Sequence, residues 1–170
     1  QLNAKIFRVE KVDTHGGSIR VYIKKEKKVK IESSVKKLIK EEEKFGIKDF
    51  KTYQNFGKKV YEIRENVLAN IKKLKKENKT LIGYGAPAKA TTALNFFGVS
   101  NEIDFIVEDN KLKHNKFIPG VKIAIKNKSK IKNKNNILLV LAWNFYNDIK
   151  KNNSDLSKNF VNIKDLESNN

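Results

Sequence analysis

Polar and apolar residues alternate in two short segments near the start of the chain, a pattern typical of half-buried β-strands. The first segment is KIFRVEKV, residues 5–12, and the second is SIRVYI, residues 18–23. Between them lies Thr14-His15-Gly16-Gly17, whose glycines favour a turn. The pattern predicts two strands, joined either as a hairpin or by a bend between positions of a larger sheet.

Apolar residues then recur every three or four positions, which is the period of an amphipathic α-helix. We expect a first helix over residues 33–44, capped by Ser33 or Ser34 and ended by Gly46. A longer helix is predicted over residues 50–77. Its apolar stripe comprises Phe56, Val60, Ile63, Val67, Ile71 and Leu74. The stripe suits a helix that packs along an α/β domain, with a coiled-coil partner as the alternative.

From residue 80 onward, short apolar runs alternate with helical segments. The predicted order is a strand at Leu81–Ile82, a helix at Pro87–Phe97, strands at Ile103–Val107, Val121–Ile125 and Ile137–Ala142, a helix at Asn144–Lys151 and a strand at Phe160–Ile163. Such alternation favours a parallel sheet with helices on both faces. We therefore predict an α/β fold with a Rossmann-like, doubly wound, mainly parallel sheet, preceded by two strands and a long helix.

The predicted organisation has an N-terminal segment of strands and helix, residues 1–48, and a Rossmann-like domain, residues 49–170. We expect both to form one compact unit, since 170 residues are the size of a single domain. The chain contains no methionine, which predicts that it is a piece of a longer protein.

The charge balance is strongly basic, with 37 lysines and arginines against 19 aspartates and glutamates and a formal net charge of +18. The arginines are only Arg8, Arg20 and Arg64, and the lysines are spread along the chain. Base readout and bidentate phosphate contacts favour arginine. The composition therefore indicates a solvated lysine surface rather than a nucleic-acid partner, although some lysines can steer an anionic ligand inward.

Several classes of site and partner are disfavoured by composition. The chain has no cysteine, which excludes disulfides and thiolate metal sites and favours a cytoplasmic location. Two histidines are too few for a multi-histidine metal site, so no metal site is expected. No apolar run approaches the roughly 18–20 residues of a membrane helix, so no membrane partner is expected.

The segment TLIGYGAPAKATTALNFF, residues 80–97, has the order strand, glycine turn, helix. Gly83-x-Gly85-x-x-Ala88 fits a dinucleotide-type fingerprint, in which the first glycine makes the turn and the second admits a phosphate near the backbone. Pro87 suits the first turn of the helix, and Lys89 adds a cation. This predicts a site for a phosphorylated ligand, with a plain tight turn as the alternative. The candidate binding residues are Gly83, Tyr84, Gly85, Ala86, Pro87, Ala88 and Lys89.

Polar residues also end the next predicted strand. Glu108, Asp109 and Asn110 follow it directly, and an acid at this position of a Rossmann unit can hold a ribose hydroxyl. The alternative is an ordinary polar strand end. Trp143 and Asn144 follow the most apolar strand, at the edge where open α/β sheets bind ligands, with core packing of Trp143 as an equal alternative.

The histidines offer one further candidate. His15 lies beside the glycine pair, with Arg20 on the following strand, and these side chains suit a proton carrier or a substrate contact. The alternative is a structural turn histidine. His114 lies in a lysine-rich loop and is expected to be solvated.

Five motifs occur in a characteristic order: THGGSIRVY at residues 14–22, GYGAPAKA at 83–90, IVEDN at 106–110, FIPG at 117–120 and LAWNF at 141–145. Together they resemble the C-terminal domain of the S-adenosylmethionine-dependent sugar C-methyltransferases. Enzymes of this family methylate a carbon of a nucleotide-linked deoxy-ketosugar, often linked to dTDP. The family has an N-terminal zinc-binding segment, a central methyltransferase domain and a Rossmann-like C-terminal domain.

The resemblance implies that nucleotide-sugar binding is the role of this chain. By position, residues 83–89 would approach the diphosphate, and residues 108–110 would approach the sugar or base end of the nucleotide. His15 and Arg20 would face the ketosugar and the methyl-donor domain. The implied partner is a dTDP-ketosugar, and the chain would pack on the missing methyltransferase domain.

The same resemblance implies that S-adenosylmethionine is bound mainly outside this chain and that zinc belongs to the missing N-terminal part. The chain by itself would then be inactive. In the parent enzyme the implied reaction is enolisation beside a ketone, followed by attack of the carbanion on the sulfonium methyl group. Two alternatives remain from the residues: an NAD(P)-type dinucleotide-binding domain, or a non-catalytic interaction module built on the long helix and the lysines.

Overall fold

The computed structural model describes residues 3–26, 28–76, 80–132 and 134–168. The chain forms two compact units, Gln1–Lys58 and Lys59–Asn170. The boundary between these units lies inside the long helix, whereas the sequence analysis divides one compact unit into residues 1–48 and 49–170.

The first unit begins with a hairpin. Strand β1 (Lys5–Val12) pairs antiparallel with β2 (Ser18–Lys24), so the hairpin alternative of the sequence analysis is confirmed. A short 3-10 turn at Thr14–Gly16 joins the strands. His15 has a φ of 56°, a left-handed conformation that side chains other than glycine rarely adopt. The two glycines that follow also have positive φ, which explains why the turn needs them.

Helix α1 (Ser33–Phe45) follows the hairpin. It ends at Gly46, whose φ of 79° gives the left-handed C-cap expected from sequence. The predicted serine cap was wrong: Glu32 occupies the N-cap position and makes no side-chain capping bond. The Ser34 hydroxyl instead accepts a hydrogen bond from the backbone N–H of Val9, at 3.3 Å. This serine therefore ties α1 to β1.

Helix α2 (Phe50–Lys76) matches the predicted long helix, and the predicted last residue, Glu77, lies outside the described residues. Val67 and Ile71 on its apolar stripe are fully buried, whereas Phe56 is 67% exposed. The stripe is therefore buried in the core of the second unit near its C-terminal end. None of the described helices is both long and apolar enough to cross a membrane.

The second unit is built on one parallel sheet of five described strands. The strands are β3 (Thr80–Tyr84), β4 (Phe105–Val107), β5 (Ile125–Lys126), β6 (Asn136–Val140) and β7 (Asn159–Asn162), and the helices between them are α3 (Ala88–Phe97) and α4 (Tyr146–Asn152). Their spatial order is β5-β4-β3-β6-β7, and every pairing is parallel. This order is that of a Rossmann-type sheet, and it confirms the predicted α/β fold.

Both faces of the sheet are covered. Along β6, Leu139 belongs to a core cluster that includes residues of α2 and α3. Its neighbours Leu138 and Val140 belong to a second cluster, with Ile149 of α4 packed against it. Alternate side chains of a strand point to opposite faces, so a strand buried on both faces is apolar throughout. This explains the continuous run of apolar residues in β6.

The third predicted strand of the sheet, Val121–Ile125, was wrong in length and position. Only Ile125 and Lys126 form β5. The preceding residues turn sharply, because Lys122 has a φ of 56° and its N–H donates to the carbonyl of Ile118 at 2.9 Å. A left-handed residue cannot continue a strand, so the apolar residues before β5 fill the core from a turn.

Candidate functional site

The order in which strands are added to the sheet reverses at β3, which has β4 on one side and β6 on the other. Open α/β sheets bind ligands in the crevice outside the carboxyl ends of the strands at such a switch point. An open cleft of about 320 Å³ lies there, lined by Tyr84, Gly85, Pro87, Glu108, Asp109, Lys113, Ala142, Phe145 and Ile149. Five of the residues proposed from sequence, from two separate motifs, therefore line one cleft.

The two glycines of the fingerprint, Gly83 and Gly85, have different roles from those predicted. Gly83 lies within β3, and a Cβ at this position would come within 2.7 Å of Ile106 Cγ1. Gly83 therefore allows close packing against β4. The turn itself is made by Gly85, whose φ is 89° and whose added Cβ would lie 2.9 Å from Ala142 Cβ. The prediction that the first glycine makes the turn was wrong.

The backbone amides of this turn have protein acceptors. The N–H of Gly85 donates to the carbonyl of Val107, and the N–H of Ala86 donates to Glu108 Oε2, both at 2.8 Å. Lys113 Nζ donates to the Ala86 carbonyl at 2.9 Å and also contacts Glu108 Oε2 at 3.3 Å. The turn, Glu108 and Lys113 thus form one closed set of contacts at the base of the cleft.

Glu108 carries a negative charge at neutral pH. Burial by itself would raise the pKa of this carboxyl, since its side chain is only 13% exposed. Hydrogen bonds from the backbone N–H groups of Asn110 and Ala86, together with the Lys113 ammonium, outweigh burial and hold the pKa below its usual range. The predicted ribose-binding acid is therefore an ionised group with donors of its own chain on both oxygens.

A second polar network lies beside the first, around the hydroxyl of Tyr84. This hydroxyl donates to Asp109 Oδ2 at 2.9 Å and lies 3.1 Å from Asn153 Oδ1. Lys128 Nζ bonds to Asp109 Oδ1 at 2.7 Å and to Asn153 Oδ1 at 3.1 Å. Tyr84 and Asn153 are buried, so the network joins β3 to the loop after β4 and to the end of α4.

The network has a clear electrostatic pattern. Burial, followed by the hydrogen bond to Asp109, raises the pKa of Tyr84. Burial would also raise the pKa of Asp109, but the hydrogen bonds from Lys128 and Tyr84 lower it below its usual range. The Asp109 carboxylate in turn raises the pKa of Lys128. At neutral pH the network therefore contains a neutral phenol and an ion pair.

Four residues that line the cleft were not identified as site residues from sequence: Lys113, Ala142, Phe145 and Ile149. Phe145 is 61% exposed although it lines the cleft, and it presents an aromatic ring to solvent. Lys113 is the cation that lines the cleft. Phe145 lies three residues beyond the predicted apolar strand, and its aromatic type could have selected it, but Lys113 has no distinguishing signal among the many lysines of the chain.

The remaining predicted site residues of the second unit are not among those that line the cleft. Lys89, in the first turn of α3, places its Nζ 4.3 Å from the centre of the Trp143 ring, a cation–π contact. Trp143 is half-buried and packs against the main core, while Asn144 is exposed. Ala88 is exposed as the first residue of α3. Asn110 accepts from the N–H of Leu112 and so caps the 3-10 turn Lys111–Lys113 that carries Lys113.

His15 and Arg20 belong to the first unit, whereas the cleft is built from the second. His15 is exposed at the tip of the hairpin. Arg20 lies 3.6 Å from Glu10, whose carboxylate also accepts from the Tyr22 hydroxyl at 2.8 Å. The hydrogen bond from Tyr22 lowers the pKa of Glu10, and burial opposes this shift.

His114 differs from its prediction as a solvated residue. It is half-buried, and its Nε2 lies 2.7 Å from the carbonyl oxygen of Glu108. This contact helps to fix the loop that carries Glu108 and Asp109. Over the described ranges, no group of three or more histidine, cysteine, aspartate or glutamate side chains is arranged to hold a metal ion.

Comparison with known proteins shows similarity to one protein family and to a curated enzyme. The profile of the family described as "C-methyltransferase C-terminal domain" matches residues 13–162, which is most of the chain. The C-methyltransferase NovU of Streptomyces niveus is 28% identical over 158 residues, covering 91% of this chain and 38% of NovU. The chain therefore spans less than half the length of this curated relative.

Proposed function

Because this chain belongs to the family of C-methyltransferase C-terminal domains, we propose that it binds the nucleotide-linked sugar that its parent enzyme methylates. The observation that supports this proposal is the cleft at the switch point of the sheet. It combines an exposed aromatic ring, Phe145, with a cation, Lys113, at the edge where this fold binds nucleotides. A nucleoside diphosphate needs both a stacking surface and positive charge.

In the proposed complex the base stacks on Phe145, since bases stack favourably on exposed aromatic rings. The diphosphate lies toward the start of α3, near Lys89 and Lys113. Asp109 and Asn110 approach the sugar or base end of the nucleotide. Asp109 suits this role because its side chain is 60% exposed although it is paired with Lys128. The ligand proposed is a dTDP-ketosugar.

We propose that S-adenosylmethionine, the methyl donor of the parent enzyme, is bound mainly outside this chain, as the resemblance to the sugar C-methyltransferases implies. Of the two acids that line the cleft, Glu108 already accepts hydrogen bonds from backbone N–H groups on both of its oxygens, and Asp109 is assigned to the nucleotide-linked sugar. The role of this chain is to bind and orient the methyl acceptor.

Calorimetric titration at moderate salt with dTDP, UDP, GDP, NAD and S-adenosylmethionine tests the proposal. We expect one nucleoside diphosphate to bind selectively. Phe145→Ala should weaken its binding by about tenfold or more, because base stacking on an aromatic contributes roughly 1–3 kcal/mol. Phe56→Ala is the matched control, since Phe56 is similarly exposed but lies on α2 in the first unit.

Other results would contradict the proposal. Preferred binding of NAD would indicate a dinucleotide-binding domain. Polyanion binding that is lost with salt and shows no preference among nucleotides would indicate a general interaction module. An absence of binding to any of the five ligands would show that this chain does not itself hold the nucleotide.

We also propose that the first unit packs on the methyltransferase domain of the parent. The support is four aromatic side chains in this unit that are more than half exposed: Phe45, Phe50, Tyr53 and Phe56. Groups of exposed aromatics of this kind mark contact surfaces. Mixing the chain with the separately produced remainder of its parent should give a complex in size-exclusion chromatography and methyl transfer only in the mixture. Elution of the two parts as separate species, with no methyl transfer in the mixture, would contradict the proposal.

A further inference from the structure

The glycine turn after β3 differs in one respect from a turn that binds phosphate. A phosphate-binding turn presents free backbone N–H groups to the ligand. Here the N–H of Ala86 donates to the carboxylate of Glu108 at 2.8 Å, and the N–H of Gly85 donates to the Val107 carbonyl at 2.8 Å. A side-chain anion of the protein therefore lies where the phosphate of a dinucleotide would accept a hydrogen bond.

This carboxylate is held in place from several directions. Glu108 Oε1 accepts from the N–H of Asn110 at 3.1 Å, and Oε2 contacts Lys113 Nζ at 3.3 Å. Lys113 also donates to the carbonyl of Ala86, on the other side of the same turn. Rotating Glu108 away from the turn would break its contacts with Ala86, Asn110 and Lys113 together.

A phosphate and this carboxylate cannot both accept a good hydrogen bond from the backbone N–H of Ala86. A single N–H donates one good hydrogen bond, and two anions that share it would lie within about 4 Å of each other, where like charges repel strongly even in a polar protein environment. The ammonium of Lys113 offsets part of this repulsion but is itself shared between Glu108 and the Ala86 carbonyl.

We propose that Glu108 is a specificity-determining residue that keeps phosphate groups off the turn amide of Ala86. This inference rests on the proposed nucleotide site and narrows it: the diphosphate contacts Lys113 and the start of α3, and not the amide of Ala86. A dinucleotide whose pyrophosphate would have to accept a hydrogen bond from that amide is therefore rejected. The fingerprint Gly83-x-Gly85-x-x-Ala88 then serves strand–helix packing.

The test follows the backbone amide resonance of Ala86 by NMR during titration with inorganic pyrophosphate. Wild type is compared with Glu108→Gln, which keeps an acceptor oxygen but removes the charge, and with Glu108→Ala. The matched control is Glu102→Gln, because the Glu102 carboxylate also accepts from a backbone N–H, that of Ser100 at 3.2 Å, outside the residues that line the cleft.

In wild type and in Glu102→Gln we expect the Ala86 resonance to stay fixed at millimolar pyrophosphate. In Glu108→Gln it should move over the same concentration range, since one like charge has been removed. The apparent dissociation constant should be at least about tenfold below the lower limit that the wild-type titration sets. Glu108→Ala should behave in the same way if it folds. The inference is overturned if the Ala86 resonance moves as strongly in wild type as in Glu108→Gln, or if Glu108→Gln gains no response.

A parallel titration of wild type with dTDP separates this inference from the proposed function. Movement of the Phe145 and Lys113 resonances without movement of Ala86 supports both. Movement of Ala86 as large as that of Phe145 overturns the inference and leaves the nucleotide site in place. If dTDP moves no cleft resonance, the proposed function fails, while the pyrophosphate comparison still decides the role of Glu108.

Discussion

The hydroxyl of Tyr84 joins segments that are far apart in sequence. It donates to Asp109 in the loop after β4 and contacts Asn153 at the end of α4. Lys128 lies against the same two partners. Because Tyr84 is buried, its hydroxyl makes these hydrogen bonds in place of hydrogen bonds to water. The same contacts fix the positions of the loops that line the cleft.

Replacing Tyr84 by phenylalanine should therefore destabilise the second unit. The substitution keeps the ring but removes the hydrogen bond that the hydroxyl donates to the charged Asp109 carboxylate, at a cost of about 1.5–3 kcal/mol. Urea denaturation followed by circular dichroism measures this change. Tyr61→Phe is the matched control, since Tyr61 is 62% exposed and should change stability by less than about 0.5 kcal/mol. Equal stability of the two variants would contradict the network described for Tyr84.

Single residues were predicted from sequence only where their type stands out. Glu108 and Asp109 were selected because acids at a strand end are informative, and the structure places both beside the cleft. Their partners Lys113 and Lys128 were not, because a lysine-rich sequence gives no reason to choose one lysine over another. The role of Glu108 as the acceptor of the Ala86 amide depends on a turn conformation that spacing does not specify.

At the level of elements, substitution by alanine should change stability in opposite directions at Gly83, which lies within β3, and at Gly57, which lies within α2. Gly83→Ala adds a Cβ within 2.7 Å of Ile106 in the core, so we expect a loss of about 1–3 kcal/mol from overpacking. Gly57 lies inside α2, and a Cβ there meets no described atom within 4 Å. Gly57→Ala should stabilise by about 0.5–1 kcal/mol, because alanine favours the helix.

Thermal unfolding of both variants beside wild type checks this pair. The midpoint should fall for Gly83→Ala and rise for Gly57→Ala. A rise for Gly83→Ala would show that β3 and β4 can separate enough to accept a methyl group. In that case the close approach at Gly83 would not explain the glycine.

The order of elements in the second unit was predictable, because strong periodicities decide it. The apolar run of β6 and the helix pattern of α3 both appeared where expected. The residues before β5 were misassigned because apolar side chains in a tight turn have the same composition as a strand, and the left-handed Lys122 has no signal of its own. The serine cap of α1 failed because Ser34 bonds to β1, a contact distant in sequence.

On the scale of the whole molecule, charge dominates the response to pH. The formal net charge of +18 at pH 7 increases further as carboxylates gain protons, so self-repulsion grows in acid. The two carboxylates at the cleft, Glu108 and Asp109, add a specific contribution to the pH dependence of stability. Hydrogen bonds hold the pKa values of Glu108 and Asp109 below their usual 4.5 and 3.8 in the folded chain.

The contribution of Glu108 and Asp109 to stability decreases in acid, because protonation favours the unfolded chain. Because the folded pKa values are depressed, the unfolded chain binds more protons as the pH falls below the usual values, and unfolding becomes more favourable. The stabilisation from Glu108 and Asp109 is therefore fully present above about pH 5 and is lost progressively as the pH falls toward the folded pKa values. At the alkaline end, the raised pKa values of Tyr84 and Lys128 give stability that is lost as the pH rises past about 10.

Urea denaturation between about pH 3 and pH 6 should show a free energy of unfolding that falls as the solution becomes more acidic. Glu108→Gln cannot take up a proton at this position, so its stability should be lower at pH 6 and should fall less steeply toward pH 3. Glu65→Gln removes an exposed carboxylate on α2 and should keep the wild-type slope. If Glu65→Gln and Glu108→Gln flatten the curve equally, general charge repulsion explains the acid response. The hydrogen bonds of Glu108 to the glycine turn would then contribute nothing specific to it.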